Sequence, residues 1–282
     1  MSKPILVTDS TSTIPLALLK RHDIRVAPQV LIWGGEELRD GVDIQPDEFY
    51  RRLKDASVMP TTSQATIASF VEIFEPQVAQ GNPILALVLS SKLSGTVQSA
   101  EQAKTMFPGA AIEVVDSQSI AMALGFQVLA AARLLEAGTP LKDVAEKCRH
   151  MSRNTGVVFL VDTLEFLHRG GRIGGASRFM GTALNIKPLL ALQDGRVEGL
   201  EKVRTKAKAR ARLLDLVEER VRGKRPVRIA VLHAAAEEEA QELLAEAQRR
   251  YAPDEAYITP VSPVIGAHAG PGTVGLCYAT EI

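Results

Sequence analysis

Ile84-Leu85-Ala86-Leu87-Val88-Leu89-Ser90-Ser91-Lys92-Leu93-Ser94-Gly95-Thr96 is the stretch that decides the fold class of this chain. Its six uncharged aliphatic residues read as a short buried strand. Off its end come three serines, a threonine and a glycine, and then Val97–Lys104 reads as a helix. A strand buried on both faces and feeding a helix is the repeating unit of a parallel α/β sheet. The turn between them has two readings. Its hydroxyls can cap the helix, or, with the unpaired N–H groups and dipole of the helix start, they can hold an anion.

The same rhythm extends in both directions. Pro4–Val7 reads as a strand running into the turn Asp9-Ser10-Thr11-Ser12-Thr13 and a helix over Pro15–His22. Arg25–Trp33 is one apolar segment closed by Gly34-Gly35, and helices are predicted from Gln45 to about Ala56, over Thr66–Gln80 and over Ser94–Met106. Ile112–Val115 is a strand ending in Asp116-Ser117. The Ala-rich Ser119–Ala137 reads as a core helix, since Gln127, Arg133 and Glu136 break it as a membrane span. Leu141–Thr155 is a further helix. In an open α/β sheet the strand ends share one edge, where ligands bind.

Beyond residue 155 the pattern changes. Val157–Val161 is a strand, Thr163–Leu167 a short helix, and His168–Gly175 a glycine-rich basic segment. Leu184–Ala191 reads as a strand, and Asp194-Gly195 after it is a hairpin signal. Thr205 is placed to cap a helix over Lys206–Val221, followed by a strand Val227–Leu232, a charged helix Glu237–Tyr251 and strands Ala256–Val261 and Thr273–Thr280. Hairpins mixed with helices give an α+β domain. The expectation is a two-domain α/β protein: residues 1–155 an N-terminal doubly wound parallel sheet, residues 156–282 a C-terminal α+β domain.

Charge and composition exclude several functions. Thirty-three basic and 33 acidic residues cancel over 282 positions, so no overall field favours nucleic acid. The run Lys202, Arg204, Lys206, Lys208, Arg210, Arg212 distributes its charge around a helix instead of building one groove-reading face. Two distant cysteines, Cys148 and Cys277, give no metal or disulfide framework and suit a reducing compartment. Met1-Ser2-Lys3 leads directly into a strand without a signal peptide, so a cytoplasmic protein is expected. GxxxxGK[ST], GxGxxG after a strand, HExxH and GxSxG are all missing. No metal and no nucleotide cofactor is expected.

Four polar clusters remain as candidates for chemistry. Thr61-Thr62-Ser63-Gln64 is either a binding segment or an N-cap, and Ser90–Thr96 has the two readings given above. His168-Arg169-Gly170-Gly171-Arg172-Ile173 pairs glycines that permit close backbone approach with two arginines able to clamp a carboxylate or phosphate. Gly266-Ala267-His268-Ala269-Gly270-Pro271-Gly272 sets an imidazole among glycines and a proline, unusual surroundings for a core histidine. No nucleophile–base pair is legible from spacing.

In this order the clusters resemble the bacterial DegV family, lipid-binding proteins that include the fatty-acid-binding subunit of fatty acid kinase. The matching pieces are Val7-Thr8-Asp9-Ser10-Thr11, Pro60–Gln64, Ser90–Thr96, Val115-Asp116-Ser117, Arg169–Ile173 and Gly266–Gly272, which span nearly the whole chain. The resemblance implies one long-chain fatty acid clasped in an apolar tunnel between the two domains, its carboxylate presented at the mouth. It implies that Thr62 and Ser94 hydrogen-bond the carboxylate with Ser63 and Gly95 beside them, and that His268 joins the network. By the same resemblance Arg172 and Arg204 lie on the surface that meets an ATP-dependent kinase subunit. The acyl phosphate would then pass to an acyl-phosphate acyltransferase for phospholipid synthesis, with at most transient membrane contact. This chain would catalyse nothing alone. Val97 departs from the tyrosine or other aromatic that many members carry after Ser-Gly-Thr, which bears on the pocket near the head group. The alternatives are a serine-dependent acyl hydrolase and a small-molecule phosphotransferase.

Overall fold

The computed structural model describes residues 3–181 and 186–282. In chain order the first half contains β1 (Ile5–Asp9), α1 (Leu16–Arg21), β2 (Arg25–Ala27), β3 (Val30–Trp33), β4 (Glu36–Arg39), α2 (Pro46–Lys54), β5 (Thr61–Ser63), α3 (Ile67–Ala79), β6 (Ile84–Val88), α4 (Thr96–Thr105), β7 (Ile112–Asp116), α5 (Ala121–Glu136) and α6 (Leu141–Met151). The second half adds β8 (Thr155–Leu160), α7 (Glu165–Arg169), β9 (Lys187–Gln193), β10 (Arg196–Val203), α8 (Lys206–Val221), β11 (Val227–His233), α9 (Glu237–Tyr251), β12 (Glu255–Pro260), α10 (Pro263–Ala269) and β13 (Val274–Thr280).

Period-two alternation in the aliphatic strands explains the first sheet. Ile5, Val7, Ile84, Ala86 and Val88 face a core completed by Phe70 and Phe74 of α3 and Ala100 and Ala103 of α4. Leu6, Leu85 and Leu87 face the opposite way, onto α5. Both faces are covered, so every position of β6 is buried, and the sheet is parallel throughout in the order β2-β1-β6-β7. The strand order reverses between β1 and β6. Their carboxyl ends therefore flank the crevice in which such sheets bind ligands.

The second sheet is mixed, in the order β10-β9-β8-β13-β11-β12, with only β11 and β12 parallel. Asp194 and Gly195 turn the β9–β10 hairpin with φ of 47° and 76°, the left-handed pair that a two-residue hairpin requires. α5 is buried from Ala121 to Ala132. It packs with Val157, Phe159, Ala230, Leu232 and Cys277 of the second sheet as well as with the first. A helix that is apolar all round is a buried one, and α5 serves as a layer common to both sheets.

Several boundaries differ from expectation for local reasons. Arg25–Trp33 is two strands: Pro28, which has no N–H to donate, interrupts it, and β3 leaves for a small antiparallel sheet, β4-β3-β5. β4 is a mostly exposed edge strand without an apolar signature. Thr61–Ser63 is the third strand of that sheet and not a cap; Thr66 caps α3 by accepting from the Ser69 N–H at 3.1 Å. The helix over Leu141–Thr155 ends at Met151, because Thr155 already pairs with Ala279 in the second sheet. Gly266–Ala269 is helical, part of α10, which Ser262 caps and Pro263 starts. Leu184 and Asn185, the start of the segment predicted over Leu184–Ala191, lie outside the described residues, as do Met1 and Ser2.

Candidate functional site

Where the carboxyl ends of β1 and β6 meet the second sheet there is a void of about 850 Å³, its open mouth included. Leu89 and Ile120 supply wall from the first sheet's edge, Val157, Phe159, Leu192, Val197 and Leu232 from the second sheet, and Val264 and Ile265 from α10. The lining is overwhelmingly aliphatic. Thr62, Ser63, Ser94, Arg172 and His268 also reach it.

Hydrogen bonds tie several of these residues to one another or to the segments that carry them. β5 pairs with β3, which sets Thr62 opposite Leu31 and Ser63 opposite Val30. Thr62 Oγ1 lies 2.7 Å from His268 Nε2, joining β5 to the last turn of α10. A side chain on Gly170 would overlap His268 Nδ1, so the glycine is what lets the basic segment close over the imidazole. Arg172 Nη1 donates to Gly170 O at 2.8 Å and its Nε to Leu93 O at 3.2 Å, tying that segment to the Ser94 turn. Ser90 Oγ donates to Gly195 O at 2.9 Å and Lys92 Nζ to Asp194 O at 2.7 Å, so the β9–β10 turn also docks on this loop.

Burial, and secondarily the charge of Arg172, pulls the His268 pKa down to about 4. The imidazole is therefore neutral near pH 7, and its Nδ1 has no hydrogen-bond partner. Ser94 is not a helix cap: α4 starts at Thr96 with Gly95 as its N-cap residue and without any side-chain cap bond. Its Oγ instead lies 3.0 Å from Thr96 Oγ1. A carboxylate taken out of water needs hydrogen-bond donors; the hydroxyls of Thr62 and Ser94, both in the lining with Arg172, are groups able to donate. A serine nucleophile would need a base at its hydroxyl. Here the imidazole bonds Thr62 and the serine bonds a threonine.

Of the residues expected at the site, Thr62, Ser63, Ser94 and His268 line the void. Gly95 does not; it lines a shallow neighbouring depression with Gln64, which Ser63 also touches. Arg172 is exposed yet also lines the mouth, whereas Arg204 is exposed and outside the lining. Val97 packs against the α3–α4 core and away from the void. Thr11 and Gln29 line it without having been singled out. A lone glutamine inside an apolar segment was the available signal for Gln29. Part of the basic run is paired, Lys206 with Glu239 at 2.8 Å, Arg210 with Glu242 at 2.5 Å and Arg212 with Glu201 at 2.8 Å. Among the described residues no group of three or more His, Cys, Asp or Glu is placed to hold a metal ion, and no helix is long and apolar enough to cross a membrane.

A parallel α/β sheet and a mixed sheet sharing a helix, with an apolar void between them lined also by hydroxyls and an imidazole, define a two-sheet α/β protein. The chain belongs to the DegV family: the family model described as "Uncharacterised protein, DegV family" matches residues 4–281. Protein DegV of Bacillus subtilis is 34% identical over 274 residues, 97% of this chain and 98% of that one. A DegV domain-containing protein of Streptomyces coelicolor is 40% identical over 279 residues, 98% of each. Among solved structures, a fatty-acid-binding DegV family protein from Thermus thermophilus superposes with a TM-score of 0.93 at 39% identity, covering 99% of both chains. A stearic-acid-binding protein from Eubacterium ventriosum superposes with a TM-score of 0.92 at 26% identity, covering 100% of this chain and 99% of that one.

Proposed function

We propose that this protein binds one long-chain fatty acid, its tail in the aliphatic void and its carboxylate at Thr62, Ser94 and His268, with Ser63 at the rim. The observation that carries this reading is an aliphatic cavity whose lining includes the bonded pair Thr62 and His268. The similar proteins that bind fatty acids support it. We assign the ligand to the junction of an N-terminal domain, residues 1–155, and a C-terminal domain, residues 156–282.

The protein acts as a carrier with no catalysis of its own. It presents the carboxylate to a separate ATP-dependent kinase subunit in the cytoplasm, and the acyl phosphate passes to an acyltransferase of phospholipid synthesis. Arg172, at the mouth and exposed, and Arg204 are the residues assigned to the kinase-facing surface. An anion at the mouth is where a phosphoryl acceptor has to be. Purification in mild conditions, lipid extraction and mass spectrometry test the carrier reading. One fatty acid per chain, or stoichiometric uptake of added oleate, is expected; neither lipid nor uptake overturns it. Mixing with ATP and a fatty acid kinase catalytic subunit tests the presentation step, for which ATP consumption dependent on this chain is expected.

A further inference from the structure

The turn that carries Ser94 is braced from the second sheet. Ser90, just beyond the end of β6, is fully buried, and each of its polar groups is engaged. Its N–H donates to Ser119 O at 2.9 Å, and its carbonyl accepts from the Leu93 and Ser94 N–H groups at 3.0 and 3.2 Å. Its hydroxyl accepts from the Lys92 N–H at 3.2 Å and donates to Gly195 O at 2.9 Å. A serine hydroxyl has one proton to give, and here it goes to the β9–β10 turn. Lys92 reaches the same turn from the solvent side, its Nζ donating to Asp194 O at 2.7 Å.

The approach is close: a Cβ on Gly195 would overlap Ser90 Oγ. The two carbonyls that receive these bonds form the tip of the hairpin. Farther down its stem the cross-strand pair Leu192 and Val197 lines the void. One hairpin therefore supplies wall to the void and a brace to the turn that holds Ser94. Neither Ser90 nor Lys92 belongs to the lining, so each can act on a ligand only through that turn or, for the ammonium, through its charge at a distance.

We propose that Ser90 and Lys92 are positioning residues that hold the Ser94 hydroxyl in place for the ligand's head group, with the β9–β10 turn as the fixed point they brace against. The inference rests on the fatty-acid-binding reading and adds to it the residues that keep the head-group donor in register. A binding group is effective only when the residues around it lock its position. The corollary is that a brace has no effect on the ligand once the group it holds is gone.

The test is a double-mutant cycle on oleate binding to delipidated protein, using Lys92→Met, Ser94→Ala and the two together. Lys92 is exposed and methionine keeps its stem without the ammonium, so the urea midpoint is expected to stay close to that of wild type. Ser94→Ala is expected to lower oleate affinity roughly tenfold or more, the scale of a hydrogen bond to a charged group, and Lys92→Met several-fold. The double variant is expected to bind within about twofold of Ser94→Ala alone, the margin for residues that act through one another. Lys92→Arg, which keeps a donor for Asp194 O, is expected to restore affinity, and Ser90→Ala to repeat the pattern of Lys92→Met. Losses that multiply in the double variant, as an attraction through space between ammonium and carboxylate would produce, overturn the proposal. Wild-type affinity in both Lys92→Met and Ser90→Ala overturns it as well. Wild-type protein that takes up no oleate, or Ser94→Ala that loses no affinity, defeats the fatty-acid reading of the mouth and the proposal with it.

Discussion

Thr62 and His268, 206 residues apart in the chain, are joined by a 2.7 Å contact that holds the small antiparallel sheet against α10. The imidazole is neutral at pH 7, so only one of its nitrogens carries a proton. Where Nε2 carries it, Thr62 accepts from His268 and keeps its own proton for a ligand. Thr62→Val removes that donor, and Ser94→Ala removes the other. Each is expected to weaken fatty-acid binding by about 1.5–3 kcal/mol, measured by titration calorimetry on delipidated protein. Unchanged affinity in both variants would put the carboxylate elsewhere.

Two adjacent glycines separate a site effect from a backbone effect. Gly170 has a φ of −76°, which any residue adopts, but an alanine Cβ there would overlap His268 Nδ1. Gly170→Ala is expected to displace the imidazole and lower fatty-acid affinity several-fold at little cost to stability. Gly171 has a φ of 68° and open space around it. Gly171→Ala is expected to cost about 1 kcal/mol in chemical denaturation through backbone strain and to leave affinity unchanged. The reverse pattern would show that His268 does not depend on Gly170.

Much of this organisation is written in the sequence, and the exceptions have physical causes. The aliphatic strands, the Asp194-Gly195 hairpin and the Thr205 cap follow from local rules, and β9–β10 and α8 form as those rules require. β4 and β5 do not, because neither buries a continuous apolar face and their pairing with β3 is tertiary. The polar clusters are visible as clusters, yet nothing in their spacing says that Thr62 meets His268, a contact made only when two distant elements pack. Gln29 and Thr96 are less legible still. They meet at 2.8 Å across 67 residues of chain, a contact that only packing makes.

Asp40 and His268 impose opposite pH dependences on stability. Burial, ahead of every other influence, raises the Asp40 pKa to about 6 from 3.8; the folded state then binds the extra proton between those values, so stability grows as pH falls through 6. Burial lowers the His268 pKa to about 4 from 6.5; the unfolded state binds the extra proton, so stability is lost as pH falls from 6.5 towards 4. Each effect is worth at most about 3 kcal/mol, and between pH 4 and 6 they oppose. Asp40→Asn, which still accepts from the Ser10 hydroxyl that lies 2.7 Å from the Asp40 Oδ2, is expected to be more stable than wild type at pH 7. Its urea midpoint should then fall more steeply on acidification. A midpoint that tracks wild type from pH 7 to 4.5 would exclude Asp40 as a titrating group.

On the fatty-acid reading proposed above, the depth of the void sets the length of tail it takes. Val157 on β8 lies in the aliphatic wall and is 3% exposed, between α5 and the void. Val157→Phe projects a ring into that space and leaves Thr62, Ser94 and His268 untouched. A tail that loses the burial of two methylenes forfeits about 0.8 kcal/mol for each, so stearate affinity is expected to fall roughly tenfold. Laurate, which does not fill the void to the same depth, should bind nearly as before. The variant also overpacks a buried position at a cost of about 1–3 kcal/mol, so ligand affinity has to be compared at a temperature where both proteins are folded. A preference that moves to shorter acids places the tail against β8. Equal loss for laurate and stearate would mean that the tail takes another path out of the mouth.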